Sequence, residues 1–325
     1  MTTTQRYDVV VIGGGPAGLA GAVALARSRR SVLVVDDGTP RNAPADGVHN
    51  YLGREGTPPG ELLAIGRAEL ASYGGALRQA RVDAAEALPD GGFRVALDGG
   101  DQVDARRLLV TTGLTDELPD VPGLAQRWGR DVLHCPYCHG WEVRDRAIGV
   151  LACGPMAVHQ TSLMRQLSED VTVFLHQQPP LADDQAEELA ARGVRVVEGE
   201  VAGLEVVDDR LTGVRLGSGE VVAVEALAVQ PRFVARGGVA ESLGLATTDL
   251  LFGEHSIGSR VEADPTGATA VPGVYVAGNV TDPMAQVVAS AAAGMRAGSV
   301  INADLVAEET RSAVAAHRER SAARV

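Results

Sequence analysis

An α/β fold of two parallel-sheet units, the second inserted into the first, is predicted by three features of this 325-residue chain. First, a β-branched run from Asp8 to Ile12 leads into Gly13-Gly14-Gly15-Pro16-Ala17-Gly18. A helical pattern through Leu19, Val23 and Leu25 follows, then a second apolar run from Ser31 to Val35. Strand, glycine turn, helix and strand in that order make one βαβ unit. Second, Ala147–Ala152, a helical pattern from Met156 to Leu167 and Val171–Leu175 repeat the arrangement in mid-chain. Third, a strand at Val274–Ala277, a loop and an Ala-rich helix from about Ala285 return to the first unit. The reading is two Rossmann-like three-layer domains, one from residues 1–118 and 237–325, the other from residues 119–236.

The intervening elements fit this plan. Arg94–Leu97 and Leu108–Thr111 read as later strands of the first half, and the turn-rich stretch with Pro119, Pro122 and Gly123 as a domain crossing. Val201–Val207, Leu211–Leu216 and Val221–Val229 alternate like a three-stranded meander. A 45% hydrophobic content allows a full core without structural metal, and only 3% aromatics leaves Val, Leu and Ala to fill it. A net charge of −13, with every basic residue an arginine, argues against nucleic acid as a partner. Arg311, Arg318, Arg320 and Arg324 are interleaved with or preceded by Glu308, Glu309 and Glu319, which reads as a solvated helix end. No signal peptide and no run long enough to span a membrane is expected. Three cysteines, two of them in one C-x-x-C, suit a reducing cytoplasm and a catalytic dithiol.

Gly13-x-Gly15-x-x-Gly18 sits where a dinucleotide would bind. The first glycine allows the tight turn, the second lets backbone approach a pyrophosphate, and the third lets helix and strand pack closely. The helix N-terminus supplies N–H groups and positive potential. Asp36 ends the second strand, where a carboxylate can bond the ribose hydroxyls of an adenosine. Near the other end, Val271-Pro272-Gly273-Val274-Tyr275-Val276-Ala277-Gly278-Asn279 resembles the second FAD motif of the pyridine nucleotide–disulfide oxidoreductases. Asn279 stands where that motif has Asp: an amide still bonds a ribityl hydroxyl or a phosphate oxygen, without charge. The helix opening near Ala285-Gln286-Val287 would aim its N-terminus at the pyrimidine edge of the flavin.

His134-Cys135-Pro136-Tyr137-Cys138-His139-Gly140-Trp141-Glu142 carries the chemistry. Two cysteines at this spacing close a small disulfide ring, and their thiolates gain from nearby positive charge or N–H groups. His134 and His139 flank the pair and titrate in the useful range, so both are candidate bases toward an incoming thiol. A zinc site would need two further ligands, and no second C-x-x-C exists; the two histidines would make a sterically awkward cluster. A glutaredoxin-like site shares the four letters but places them near the start of a small domain. Two merely buried thiols would not explain the flanking histidines.

Taken together, the chain resembles the low-molecular-weight thioredoxin reductase family. The resemblance rests on the N-terminal glycine motif, His49-Asn50-Tyr51-Leu52-Gly53, the central C-x-x-C and the C-terminal FAD motif. Within it, Cys-Pro-Tyr-Cys-His-Gly-Trp-Glu preceded by His134 looks like the dithiol oxidase branch, which closes the disulfides of gliotoxin, holomycin and related products. Ordinary thioredoxin reductases have an Asp proton donor after the second cysteine; His139 stands there here. The resemblance implies bound FAD contacted by Gly13, Gly15, Pro16, Ala17, Gly18, Asp36, Asn50, Gly113, Gly278, Asn279, Gln286 and Val287. It also implies Cys138 on the flavin side, Cys135 toward substrate, O2 as acceptor and a homodimer.

The family's second dinucleotide turn fails here. Ala152-Cys153-Gly154-Pro155-Met156-Ala157 replaces its first glycine with Ala152, which crowds the turn. Where the family has a His and two arginines for a 2′-phosphate, this chain has His176-Gln177-Gln178, with no acid to favour NAD instead. Cys153 reads as a small core residue. These departures argue against NADPH, and the resemblance implies FAD-dependent oxidation of a small dithiol. An NADPH-dependent protein disulfide reductase is the alternative, and a flavin–dithiol redox sensor a third.

Overall fold

The computed structural model describes residues 5–323. Its first sheet is built on Arg6–Ile12, which pairs in parallel with Val32–Asp36 on one side and Gln102–Val110 on the other. Ala76–Gln79 extends the sheet beyond Val32–Asp36, and Val274–Val276 pairs in parallel with the C-terminal half of Gln102–Val110. Val82–Ala87 and Phe93–Leu97 add an antiparallel meander against the N-terminal half of that strand. Strands buried on both faces read as continuous apolar runs. Accordingly Val10, Ile12, Leu33 and Val35 join the core on one face, while Val9, Val11, Val32 and Val34 join that on the other.

The second sheet is wholly parallel, in the order Arg195–Val197, Val171–Phe174, Ile148–Leu151, Ala226–Val229, Val132–Leu133. It is the inserted Rossmann-like unit. The expected meander ends early: Val201–Val207, Arg210–Leu216 and Val221–Val222 form it, and the remaining run crosses into the parallel sheet. All four residues of Ala226–Val229 are buried, as a central parallel strand requires and an alternating meander strand does not.

The two chain crossings are themselves strands. Leu114–Glu117 pairs antiparallel with Arg232–Ala235, and the Thr247–Phe252/His255–Val261 hairpin completes that small sheet. The C-terminal helix Val287–Ala322 packs along the Pro16–Arg27 helix at backbone contact: a Cβ on Gly294 would lie 1.9 Å from the Ala17 carbonyl oxygen.

The tail departs from its reading as a solvated end. Glu308 pairs with Arg106 at 2.8 Å and Arg107 at 2.6 Å, and Glu309 with Arg106 at 2.7 Å and Arg30 at 2.5 Å. These acids fasten the helix to the interior strand Gln102–Val110 and to Arg30. Arg311, Arg318 and Arg320 are exposed, and Arg324 lies outside the described residues. Among the described residues, no helix is long and apolar enough to cross a membrane.

Candidate functional site

A cleft of about 720 Å³ runs from the first glycine turn, past the crossing strands, to the C-x-x-C. Gly13 takes φ +103°, and a Cβ on Gly18 would meet the Gly13 carbonyl oxygen at 1.9 Å, so strand and helix touch through their backbones. A Cβ on Gly15, by contrast, would meet nothing within 4 Å. That free space opens on the cleft at the start of the Pro16–Arg27 helix, as a pyrophosphate needs. Asp36 lines the cleft too, accepting the Gly38 N–H at 2.8 Å and the N–H of Gly14. The residues therefore fit the dinucleotide end of FAD.

Gly278, Asn279, Gln286, Val287 and Gly113 line the cleft as well, with Gly278 packed against Ala17. Asn279 does something an Asp could not. Its Nδ2 donates to the carbonyls of Asp282 at 3.0 Å and Ala285 at 2.9 Å, shaping the loop that delivers the long helix to the cleft. Its Oδ1 faces Arg41 at 3.4 Å. Arg41 was not singled out in the sequence. It forms a two-pronged pair with Asp116 at 2.6 and 2.8 Å, and its guanidinium lies 5.3 Å from the Phe233 ring centroid.

Cys135 and Cys138 are joined as a disulfide with Cα atoms 5.2 Å apart, and both line the cleft. Cys135 precedes the one-turn helix Pro136–His139, and the Cys138 N–H donates to its Sγ at 3.2 Å. Cys138 is the more exposed of the two. Gln160, on the Ala157–Met164 helix, donates to the His134 carbonyl at 2.9 Å and so fixes the residue entering the turn.

His134 Nδ1 lies 3.2 Å from the Val229 carbonyl, an acceptor only, so Nδ1 carries the hydrogen and Nε2 has the free lone pair. The ring packs edge-on against Phe233, with centroids 5.1 Å apart. Burial pushes its pKa below the usual value, more than the Val229 contact restores. His139 is shifted the same way by burial, against the pull of Glu142 and Asp46. Both are held as neutral imidazoles, the form that accepts a proton.

The predicted residues converge with two exceptions. Gly18 lies beneath the turn, outside the cleft lining. Asn50 is also outside it: its Nδ2 donates to the Tyr137 carbonyl at 2.8 Å, between the two cysteines in sequence. His49 does line the cleft, with Nδ1 2.6 Å from Glu55 and Nε2 3.4 Å from Glu142. The sequence offered His49 only as one letter of a five-residue motif.

The second turn presents no cation. His176 Nδ1 accepts the Val201 N–H at 3.0 Å, and Gln177 donates to Glu200 at 3.1 Å. The helix beyond the turn shows Met156, His159, Gln160 and Leu163 to the disulfide's cleft. Burial pushes the Cys153 thiol up to about 11, so it stays protonated and unreactive beside the core.

Thioredoxin reductase tcpT of Claviceps purpurea (strain 20.1) is 31% identical over 321 residues, covering 95% of this chain and 97% of the relative. Thioredoxin reductase sirT of Leptosphaeria maculans is 32% identical over 317 residues, covering 93% and 95%. The crystal structure of HlmI superposes with a TM-score of 0.89 at 45% identity, covering 97% of this chain and 98% of that one. The oxidoreductase from Agrobacterium tumefaciens gives 0.85 at 35%, covering 93% and 99%. Residues 7–298 match the pyridine nucleotide-disulphide oxidoreductase family, and the chain belongs to it as an FAD-binding oxidoreductase acting on disulfides.

Proposed function

We propose that this chain is an FAD-dependent oxidase of small-molecule dithiols, which closes them to intramolecular disulfides and passes the electrons to O2 as hydrogen peroxide. The observation that carries the reading is the contrast between the two glycine turns. The first opens with its free space onto the disulfide's cleft. The second offers a 2′-phosphate a glutamate-bonded glutamine instead of arginines, and its helix faces the dithiol chamber.

In the forward reaction a histidine takes a proton from one substrate thiol, His134 through its free Nε2 or His139. The thiolate attacks Cys135 Sγ and breaks the Cys135–Cys138 bond, and Cys138 leaves with the electron pair. The second substrate thiol, deprotonated in turn, attacks the substrate sulfur of the mixed disulfide. Cyclic product departs and Cys135 is released as thiolate. Two protons and two electrons have then moved from substrate to protein. Bound FAD supplies the two-electron acceptor that restores the disulfide and delivers the electrons to O2. The Cys138 N–H on Cys135 Sγ and the Asn50–Tyr137 contact hold the turn in its disulfide state.

The names of the Claviceps and Leptosphaeria relatives favour a second reading, a disulfide reductase fed by NADPH. Oxygen uptake separates the two. With a small dithiol and air, sustained turnover with about one peroxide per disulfide is expected. Cys135→Ser and Cys138→Ser should each abolish it and keep the flavin. A single round of reduction without peroxide would overturn the oxidase reading.

A further inference from the structure

We propose that His49 is a proton-transfer group of the dithiol site, carrying protons between the cleft beside His139 and bulk water at Glu55. The proposal rests on the thiol–disulfide exchange described above and not on the identity of the electron acceptor.

The loop that carries His49 is closed at its base. Val48 and Thr57 form an antiparallel bridge, the Val48 N–H donating to the Thr57 carbonyl at 2.8 Å. The loop is docked on the C-x-x-C turn by the Asn50–Tyr137 hydrogen bond. Glu55 steadies it from outside, accepting the Asn50 N–H at 2.9 Å through Oε2 while Oε1 meets His49 Nδ1 at 2.6 Å. His49 thus has a carboxylate at each ring nitrogen, Glu55 hydrogen-bonded to Nδ1 and Glu142 at 3.4 Å from Nε2. An imidazole so placed takes a proton on one nitrogen and gives one up from the other.

His49 sits between the two carboxylates and is the most sheltered of the three. The His49 side chain is 22% exposed and lines the cleft, Glu142 is 35% exposed, and Glu55 is 68% exposed. Glu142 also lies in the short Trp141–Val143 turn that directly follows His139 and Gly140. The charged and titratable groups acting on His139 are Glu142, Asp46 and His49 itself. His134 offers no equivalent relay, because its Nδ1 is committed to the Val229 carbonyl and only Nε2 is left to exchange a proton. Each substrate gives up two thiol protons, which have to leave the cleft for bulk water.

The test uses oxidised holoprotein and dithiothreitol without oxygen. Reduction of Cys135–Cys138 is followed by acid quench, alkylation and mass, which reads the cysteines and not the flavin. His49→Gln keeps a hydrogen-bonding side chain on the loop but cannot relay a proton, and should slow reduction on the order of 10²-fold. Added imidazole, at fixed pH and ionic strength, should restore the rate in proportion to its concentration and leave the unmodified protein unaffected. Glu142→Gln should behave alike and carries the test if His49→Gln fails to fold. Rates equal to the unmodified protein would overturn the proposal. So would a slow rate that imidazole does not move, since that is the mark of a loop brace. If imidazole rescue is seen but air yields no peroxide, the oxidase reading fails and the proton route stands.

Discussion

Burial fixes the protonation state of the histidines beside the disulfide, and this has a measurable sign. The pKa of His134 and His139 is lowered in the folded protein, by burial first in each case. A base with a lowered pKa stays neutral to lower pH. The acid limb of kcat/KM for a dithiol should therefore lie below the ordinary histidine value of about 6.5. A limb at or above that value would mean that neither residue is the base. The same shifts act on stability. The unfolded chain binds these protons first, so the contribution is present above pH ~6.5 and is lost as pH falls through that value toward the lower folded pKa. At this scale the sequence shows what spacing alone encodes: the glycine turn and the cysteine pair with its flanking histidines. Arg41 and Asp116 stayed hidden because they reach the cleft from separate segments, and His49 and Glu142, though inside quoted motifs, gained no role because no local pattern joins them to each other. Asn50 shows the converse, a residue whose motif pointed to the cofactor and whose amide meets the Tyr137 carbonyl instead.

The site depends on two helices meeting without side chains between them. Gly294 and Gly298 of the C-terminal helix face Ala17 and Gly21 of the first, where added Cβ atoms would lie 1.9 and 2.6 Å from backbone oxygens. Both helices begin at the cleft, so spreading them misplaces Gly15 and Gln286 together. Gly294→Ala is expected to destabilise the protein by about 1–3 kcal/mol and to loosen FAD, read by thermal melting and flavin content after gel filtration. An unchanged melt with full flavin would show that the helices have slack. Several strands with both faces buried were legible, as at Arg6–Ile12, Ile148–Leu151 and Val274–Val276. The meander boundary was misjudged because Val221–Val229 is apolar almost throughout, and periodicity does not separate two short strands that belong to different sheets. The Thr247–Phe252/His255–Val261 hairpin gave little signal, since most of its residues are exposed or half-buried.

Over the whole molecule, we propose a division at residues 118/119 and 236/237. It is supported by the antiparallel pair Leu114–Glu117/Arg232–Ala235, whose two strands end just before those points. Arg41 reaches across this junction, bonded to Asp116 on one crossing strand, stacked on Phe233 of the other and facing Asn279 at the end of the first sheet. Cleft, disulfide and crossing strands form one continuous site, and the second unit turns the Ala157–Met164 helix toward it. On the proposed oxidase reading, electrons enter from a small dithiol and not from NADPH. Anaerobic stopped-flow mixing of the holoprotein with each donor, followed by flavin absorbance, tests it most directly. Dithiothreitol should bleach the flavin at a rate that saturates with its concentration, and NADPH should bleach it far more slowly. Fast, saturable bleaching by micromolar NADPH, with a sluggish response to the dithiol, would contradict the account.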